Sequence, residues 1–260
     1  RGARRQGPRR ARRGQDRLMA NRVALVTGGA RRVGAEIVRS FAARGYDILL
    51  HHRNSPDAAS ALAAELQRAH EVRIEIAQED LADVHAPQRI IDAAMRAFGA
   101  LDVVVSSASV MMRHPFDAVT PDEWEQTVAI NLRAPFFLMQ AAARVMRDGG
   151  VIVQLSDHLA FETIFPNLIP HQVTKAALTQ LVRTTASALA PRVRVNAVAP
   201  GLVLPPDDLS DEAIERFLCD VPLGRSGTPL DVTQAIHFLV DAPYVTGVVL
   251  PVDGGRHLRR

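Results

Sequence analysis

Lys175 is the single lysine among 31 basic residues, the other 30 being arginine. A lysine ammonium is compact and its pKa shifts readily, whereas a guanidinium is a wide planar fork. In a chain that uses arginine everywhere else, Lys175 marks a position where only an ammonium serves, unless one lysine has survived by chance. A second feature is the turn Thr27-Gly28-Gly29-Ala30-Arg31-Arg32-Val33-Gly34, which follows an apolar run and opens a helical pattern. Glycines placed there let the backbone approach a pyrophosphate, and the helix N-terminus meets its charge, so the turn points to a dinucleotide. A third is His51-His52-Arg53-Asn54-Ser55 after the second apolar run, with no Asp or Glu at the strand end. An acid there would bind the ribose 2′-hydroxyl of NAD, while arginines suit the 2′-phosphate of NADP. Arg31, Arg32 and Arg53, in two loops facing one adenosine site, favour NADP(H) over the plainer reading of solvated surface arginines.

The elements that must hold these residues are legible as a pattern. Short apolar, β-branched runs recur at Val23–Val26, Asp47–Leu50, Val72–Ile76, Leu101–Val105, Val151–Leu155, Val193–Val198 and Val248–Val252. Such runs suit strands buried on both faces of a parallel sheet. Amphipathic segments lie between them near 33–44, 57–69, 85–98, 121–147, 171–189 and 229–240. Strand alternating with helix predicts right-handed crossovers and one α/β domain, a doubly wound parallel sheet over residues 19–260 with helices on both faces. The stretch from Leu202 to about Thr228 is irregular, rich in Pro and Asp, and reads as a substrate loop carrying a short helix near Ser210–Leu218. Ser210 there is an N-cap, with Asp211 and Glu212 in the first turn. Ligands are expected beyond the carboxyl ends of the strands.

Composition narrows the function classes. With 47% hydrophobic and 23% charged residues and a mean hydropathy of +0.01, the chain is globular over most of its length. No apolar run approaches the roughly 18 residues of a membrane span. The one cysteine, Cys219, cannot form an internal disulfide, so a cytoplasmic protein is expected. The basic pI belongs to residues 1–18, which hold eight arginines against Asp16; the remainder is net acidic. That segment reads as a disordered extension rather than a nucleic-acid arm or a targeting peptide. His51-His52 and His158…His171 lack a third ligand at metal spacing, so no metal is expected. Met111-Met112, Phe116 and Phe136-Phe137 read as core or pocket lining.

Taken in order, several motifs resemble the short-chain dehydrogenase/reductase family over nearly all of residues 20–257. They are Thr27-Gly28 through Gly34, Asp80-Leu81, Ser106-Ser107-Ala108, Asn131, Ser156, the His171…Lys175 pair, Asn196 through Gly201, and Val252-Asp253-Gly254-Gly255. Finer features are similar to the pteridine reductase branch: Arg32 in place of the middle glycine, the His-Arg-Ser-like loop after the second strand, and Asp157 beside the usual serine. The resemblance implies a Rossmann fold with a seven-stranded parallel sheet, hydride transfer with a nicotinamide cofactor, and commonly a tetramer. It places Gly28, Arg31, Arg32, Val33 and Gly34 on the pyrophosphate and adenosine, and Arg53, Asn54 and Ser55 on the 2′-phosphate. Asp80 and Leu81 would meet the adenine, Ser107 and Ala108 the ribose wall, and Pro200 and Gly201 the nicotinamide edge. Lys175 would hold the nicotinamide ribose, and Asn131 a water that relays protons to it. Ser156 and Asp157 would share the proton work, and Met111 and Leu202 would line the substrate pocket.

One departure bears on the chemistry. Four residues before the lysine the family has its catalytic tyrosine, and here stands His171; the only tyrosines, Tyr46 and Tyr244, lie elsewhere. An imidazolium is a competent acid, but the Lys175 charge opposes it and Asp157, if close, favours it. Imidazole is also about 2 Å shorter than phenol, so Asp157, Ser156 or a water could carry the proton onward. The position where the pteridine branch stacks an aromatic on its substrate is Met111, which packs adaptably but has no ring face. The expectation is an NADPH-dependent reductase of a small carbonyl or pteridine-like compound, with a catalytically silent NADP-binding protein as the alternative. Small residues along the His171 helix (Ala176, Ala177, Ala186) predict self-association to a dimer or tetramer.

Overall fold

In the computed structural model, which describes residues 21–162, 165–205 and 209–258, seven strands form one all-parallel sheet. They are β1 (Val23–Thr27), β2 (Asp47–His52), β3 (Ile74–Gln78), β4 (Val103–Ser106), β5 (Gly150–Leu155), β6 (Val193–Pro200) and β7 (Val249–Val252). Their order is β3-β2-β1-β4-β5-β6-β7, so the winding reverses between β1 and β4. Side chains alternate across a strand, and both sets are apolar here. Ala24 and Val26 face one core with Ile37, Phe41, Leu62 and Ile236, while Val23 and Leu25 face the other with Ile90, Leu138 and Val182. The first core lies under α1 (Arg32–Ala42), α2 (Pro56–Ala69) and α8 (Pro229–Asp241). The second lies under α3 (Ala86–Phe98), α5 (Ala134–Val145) and α6 (Ile169–Leu189).

Two elements depart from the sequence reading. The third strand runs two residues later than the apolar pattern of 72–76 suggested, because pairing with β2 sets its register, Ile48 opposite Ile74 through His52 opposite Gln78. It is also an edge strand, so Glu75, Ile76 and Gln78 are exposed and its pattern is mixed. The helix expected over 121–147 is α4 (Pro121–Val128) and α5, joined by a π turn at Ala129–Arg133. Such single wide turns re-aim side chains and occur often at functional sites. The turn here carries Asn131.

The short helix of the substrate loop is α7 (Asp211–Leu218), and the Ser210 hydroxyl accepts from the Ala213 N–H at 3.3 Å as its cap. No helix among the described residues is long and apolar enough to cross a membrane. The arginine-rich segment 1–18 lies outside the described residues, as do Asp207 and Asp208 of the loop.

Candidate active site and cofactor cleft

At the carboxyl ends of β1 and β4 the turn after β1 leaves a cleft whose floor requires glycine. Gly28 has φ +66°, and a Cβ there would lie 3.0 Å from the Ala108 Cα. A Cβ on Gly34 would lie 2.0 Å from the Gly28 carbonyl oxygen. Beside this close-packed turn lies a cavity of about 400 Å³, within the range of small-ligand sites. Arg31, Val33 and Gly34 line it from the turn, Arg53, Asn54 and Ser55 from the loop after β2. Asp80, Leu81, Ser107 and Ala108 close the far side. The Thr27 hydroxyl accepts from the N–H groups of Ser107 and Ala108 at 3.0 and 3.2 Å, tying that wall to the turn. The size, the glycine floor and the arginines fit a dinucleotide phosphate.

Two residues behave differently from the sequence expectation. Arg32 lines the cavity, but with φ +51° its guanidinium reaches over the cleft to the carbonyls of Leu204 and Pro205, so it also walls the second cavity described below. His51, which the sequence reading passed over, supports the turn. Its Nδ1 accepts from the Gly28 N–H at 3.2 Å and its Nε2 donates to the Glu79 carbonyl at 3.0 Å. Burial pushes its pKa down to about 4, which keeps the ring neutral with one donor and one acceptor nitrogen. A histidine at the end of a buried strand, beside the glycine turn, was the available signal.

The candidate catalytic cluster is assembled by three elements. On α6, His171 and Lys175 stand one turn apart on the inward face, each 3% exposed. The Lys175 ammonium donates to the Leu155 carbonyl at 2.7 Å. Burial draws its pKa down to about 8, against the pull of the Asp157 charge. His171 Nδ1 donates to the Val110 carbonyl at 3.1 Å, and Nε2 faces the Asp157 Oδ2 at 3.2 Å. Asn131, on the π turn, is bound to Val110 twice: Oδ1 accepts from its N–H and Nδ2 donates to its carbonyl, both at 2.9 Å. Its amide nitrogen is 3.3 Å from the Thr174 hydroxyl and 3.5 Å from His171 Nδ1. Asn131 therefore sets the Val110 segment against which His171 rests.

Ser156 and Asp157 follow β5 with opposite side-chain directions, and only one of them can face the histidine. The Ser156 hydroxyl points back to the Lys175 carbonyl at 3.4 Å and is buried. Asp157 takes the active position, bridging His171 on Oδ2 and His158 Nδ1 on Oδ1 at 2.9 Å. Burial pushes the Asp157 carboxyl up, but the bonds from His158 and His171 outweigh it and hold it well below the usual carboxylate range. Asp157, with a side chain 24% exposed, lines a second cavity of about 620 Å³. Met111 and Leu202, both anticipated there, line it too, and so does Gly201, which was expected at the nicotinamide edge. Pro200 instead offers its carbonyl to His158 Nδ1 at 3.2 Å.

Along the wall of that cavity runs an ionic chain the sequence did not announce. Arg256, 4% exposed, contacts Glu162 at 3.4 Å and Asp220 at 2.9 Å and stacks on the Phe217 ring at 4.6 Å. Glu162 approaches His158 Nε2 at 3.9 Å. Burial pulls the His158 pKa down, and the bond to Asp157 with the nearby charges raises it above the ordinary value. These partners come from loops up to 94 residues apart, and no local pattern marks them.

Residues 28–257 match the family described as Enoyl-(Acyl carrier protein) reductase. An L-rhamnose 1-dehydrogenase (NAD(P)(+)) of Azotobacter vinelandii is 36% identical over 252 residues, covering 92% of this chain and 97% of its own. A blue fluorescent protein from a metagenomic library, solved in complex with NADPH, superposes with a TM-score of 0.87 at 34% identity, covering 92% of this chain and 99% of its own. An alternative dihydrofolate reductase from Brucella canis, complexed with NADP, superposes with a TM-score of 0.86 at 29% identity, covering 95% of this chain and 98% of its own.

Proposed function

The chain belongs to the short-chain dehydrogenase/reductase family, and we propose that it is an NADP(H)-dependent reductase of a small carbonyl or pteridine-like compound, with the His171–Asp157 pair standing where the family uses a tyrosine. Three of the similarities favour NADP(H) or admit it: NADPH in the fluorescent protein, NADP in the dihydrofolate reductase, and NAD(P)+ in the rhamnose dehydrogenase. Arg31 and Arg53 are the cavity's own support for that choice, as charge-assisted donors to a 2′-phosphate. The pteridine element rests on Arg32 and on the likeness to the dihydrofolate reductase. Bound in the cleft, a nicotinamide supplies the hydride for the carbonyl carbon.

The chain's own residues handle the proton. Val110 fixes His171 through Nδ1, leaving Nε2 as the position from which a proton can leave. Asp157 Oδ2 takes it, and Asp157 is the member of the pair that lines the substrate cavity. Asp157 passes the proton to the developing alkoxide and returns to the carboxylate form that His158 and His171 stabilise. Lys175, still mainly an ammonium at neutral pH, adds positive charge beside the ribose position. The Asp157–His171 contact at the wall of a cavity adjoining a glycine-floored cleft carries this reading.

The reading includes a cytoplasmic dimer or tetramer, supported by exposed Phe136, Phe137 and Val173 on α5 and α6. An NADPH-oxidation screen over dihydropteridines, quinones, diketones and aldehydes tests the activity. Turnover of at least one class is expected. Tight NADPH binding with no turnover of any class would replace it with a silent NADP-binding protein.

A further inference from the structure

Resting on that reading, we propose that the substrate is an amphipathic carbonyl compound with an anionic group, a carboxylate or its like, set several bonds from the reacting carbon. The second cavity has a largely apolar lining, with Met111, Leu159, Phe165, Leu168 and Phe217 among its walls. Its charged lining is arginine-rich: Arg32 from the first turn, Arg113 after β4, Arg216 on α7 and Arg256 near the chain's end. The lining acids already have cationic partners. Asp157 lies between His158 and His171, and Asp220 is 2.9 Å from Arg256, which also meets Glu162. Arg32 reaches only backbone carbonyls, and Arg216 donates to the Glu212 carbonyl one turn earlier on its own helix. The cavity therefore combines two exposed arginines from separate elements, Arg32 and Arg216, with the Asp157 carboxylate and a largely apolar wall. An apolar body that carries an anion matches this combination. The anion takes no part in the redox step: hydride joins the carbonyl carbon, a proton joins its oxygen, and NADPH is oxidised to NADP+.

A matched pair tests the charge alone: 4-oxo-4-phenylbutanoate against its primary amide, each assayed by NADPH oxidation and by calorimetric binding to the full chain with NADP+. The acid is expected to show a KM and Kd about three- to tenfold lower than the amide, a span appropriate to a partly solvated charge contact. That preference should shrink as salt is raised. Arg216→Gln should remove most of the preference by weakening the acid several-fold more than the amide, and Arg216→Lys should keep much of it. Equal constants for acid and amide in the wild type overturn the inference. An acid that neither binds nor turns over also overturns it. Failure of NADPH itself to bind is a separate result, and it removes the underlying reductase reading instead.

Discussion

Replacing Lys175 with methionine should abolish turnover while making the fold more tolerant of neutral pH. In the folded chain burial brings the Lys175 pKa from 10.5 to about 8. A base whose folded pKa is lowered binds fewer protons folded than unfolded between those two values, so its contribution to stability rises with pH across that window. The penalty is present in full below pH 8 and is relieved as pH approaches 10.5. A shift of this size corresponds to about 3 kcal/mol, most of which falls between pH 7 and pH 10. Methionine keeps an unbranched apolar stem of similar length and carries no charge. It also gives up the 2.7 Å bond to the Leu155 carbonyl, which offsets part of the gain by about 1–3 kcal/mol at every pH. The pH slope is therefore the sharper observable. Urea unfolding of both proteins at one concentration, at pH 7, 8, 9 and 10, should show the wild type gaining about 2–3 kcal/mol relative to Lys175→Met. Stabilities that run parallel across that range would refute the account of a buried, strained ammonium, whatever happened to activity.

Four shorter predictions follow from the same geometry. NADP(H) should bind more tightly than NAD(H), and Arg53→Ala should erase roughly 1–2 kcal/mol of that preference, read from the two dissociation constants by titration. His171→Ala should lower kcat by about 10²–10⁴-fold, the usual range for general acid catalysis, and an unchanged kcat would move the proton source to Asp157 and water alone. Gly34→Ala should eliminate NADPH binding in any protein that still folds, since the added carbon has no room beside the Gly28 carbonyl; binding retained by calorimetry would contradict this. Sedimentation at micromolar concentration should find a dimer or tetramer, and a lone 28.3 kDa species would remove the assembly from the reading.

Much of the architecture is a property of local pattern. Apolar runs alternating with amphipathic segments are enough to specify a parallel sheet covered on both sides, because each run must bury two faces and each helix one. The glycine turn is equally local: Gly28 and Gly34 are required by contacts within the turn and with its immediate wall. The short helix after Ser210 follows from its cap. The third strand lies two residues beyond its apolar pattern because, at the sheet edge, it leaves Glu75, Ile76 and Gln78 exposed and takes its register from β2.

The site divides the same way. Lys175 and His171 were visible as a lone lysine and a displaced tyrosine position, and their spacing alone put them on one helix face. Which of two adjacent residues, Ser156 or Asp157, would meet His171 depended on the direction in which β5 delivers its last side chain, and Asp157 was the one delivered. His51 under the glycine turn, His158 beyond Asp157, and the Arg256–Glu162 contact join residues that are distant in the chain and unremarkable within it. Arg32 lines the cofactor cavity, as its place in the turn suggests, but its further reach to the Leu204 and Pro205 carbonyls, which makes it a wall of the second cavity too, shows only in the folded chain. Local sequence sets what each segment can form, since backbone preferences and burial periodicity act over a few residues. The pairing of buried charges is decided only when the sheet closes, because desolvation forces each one to find its partner among whatever groups the fold has brought within reach.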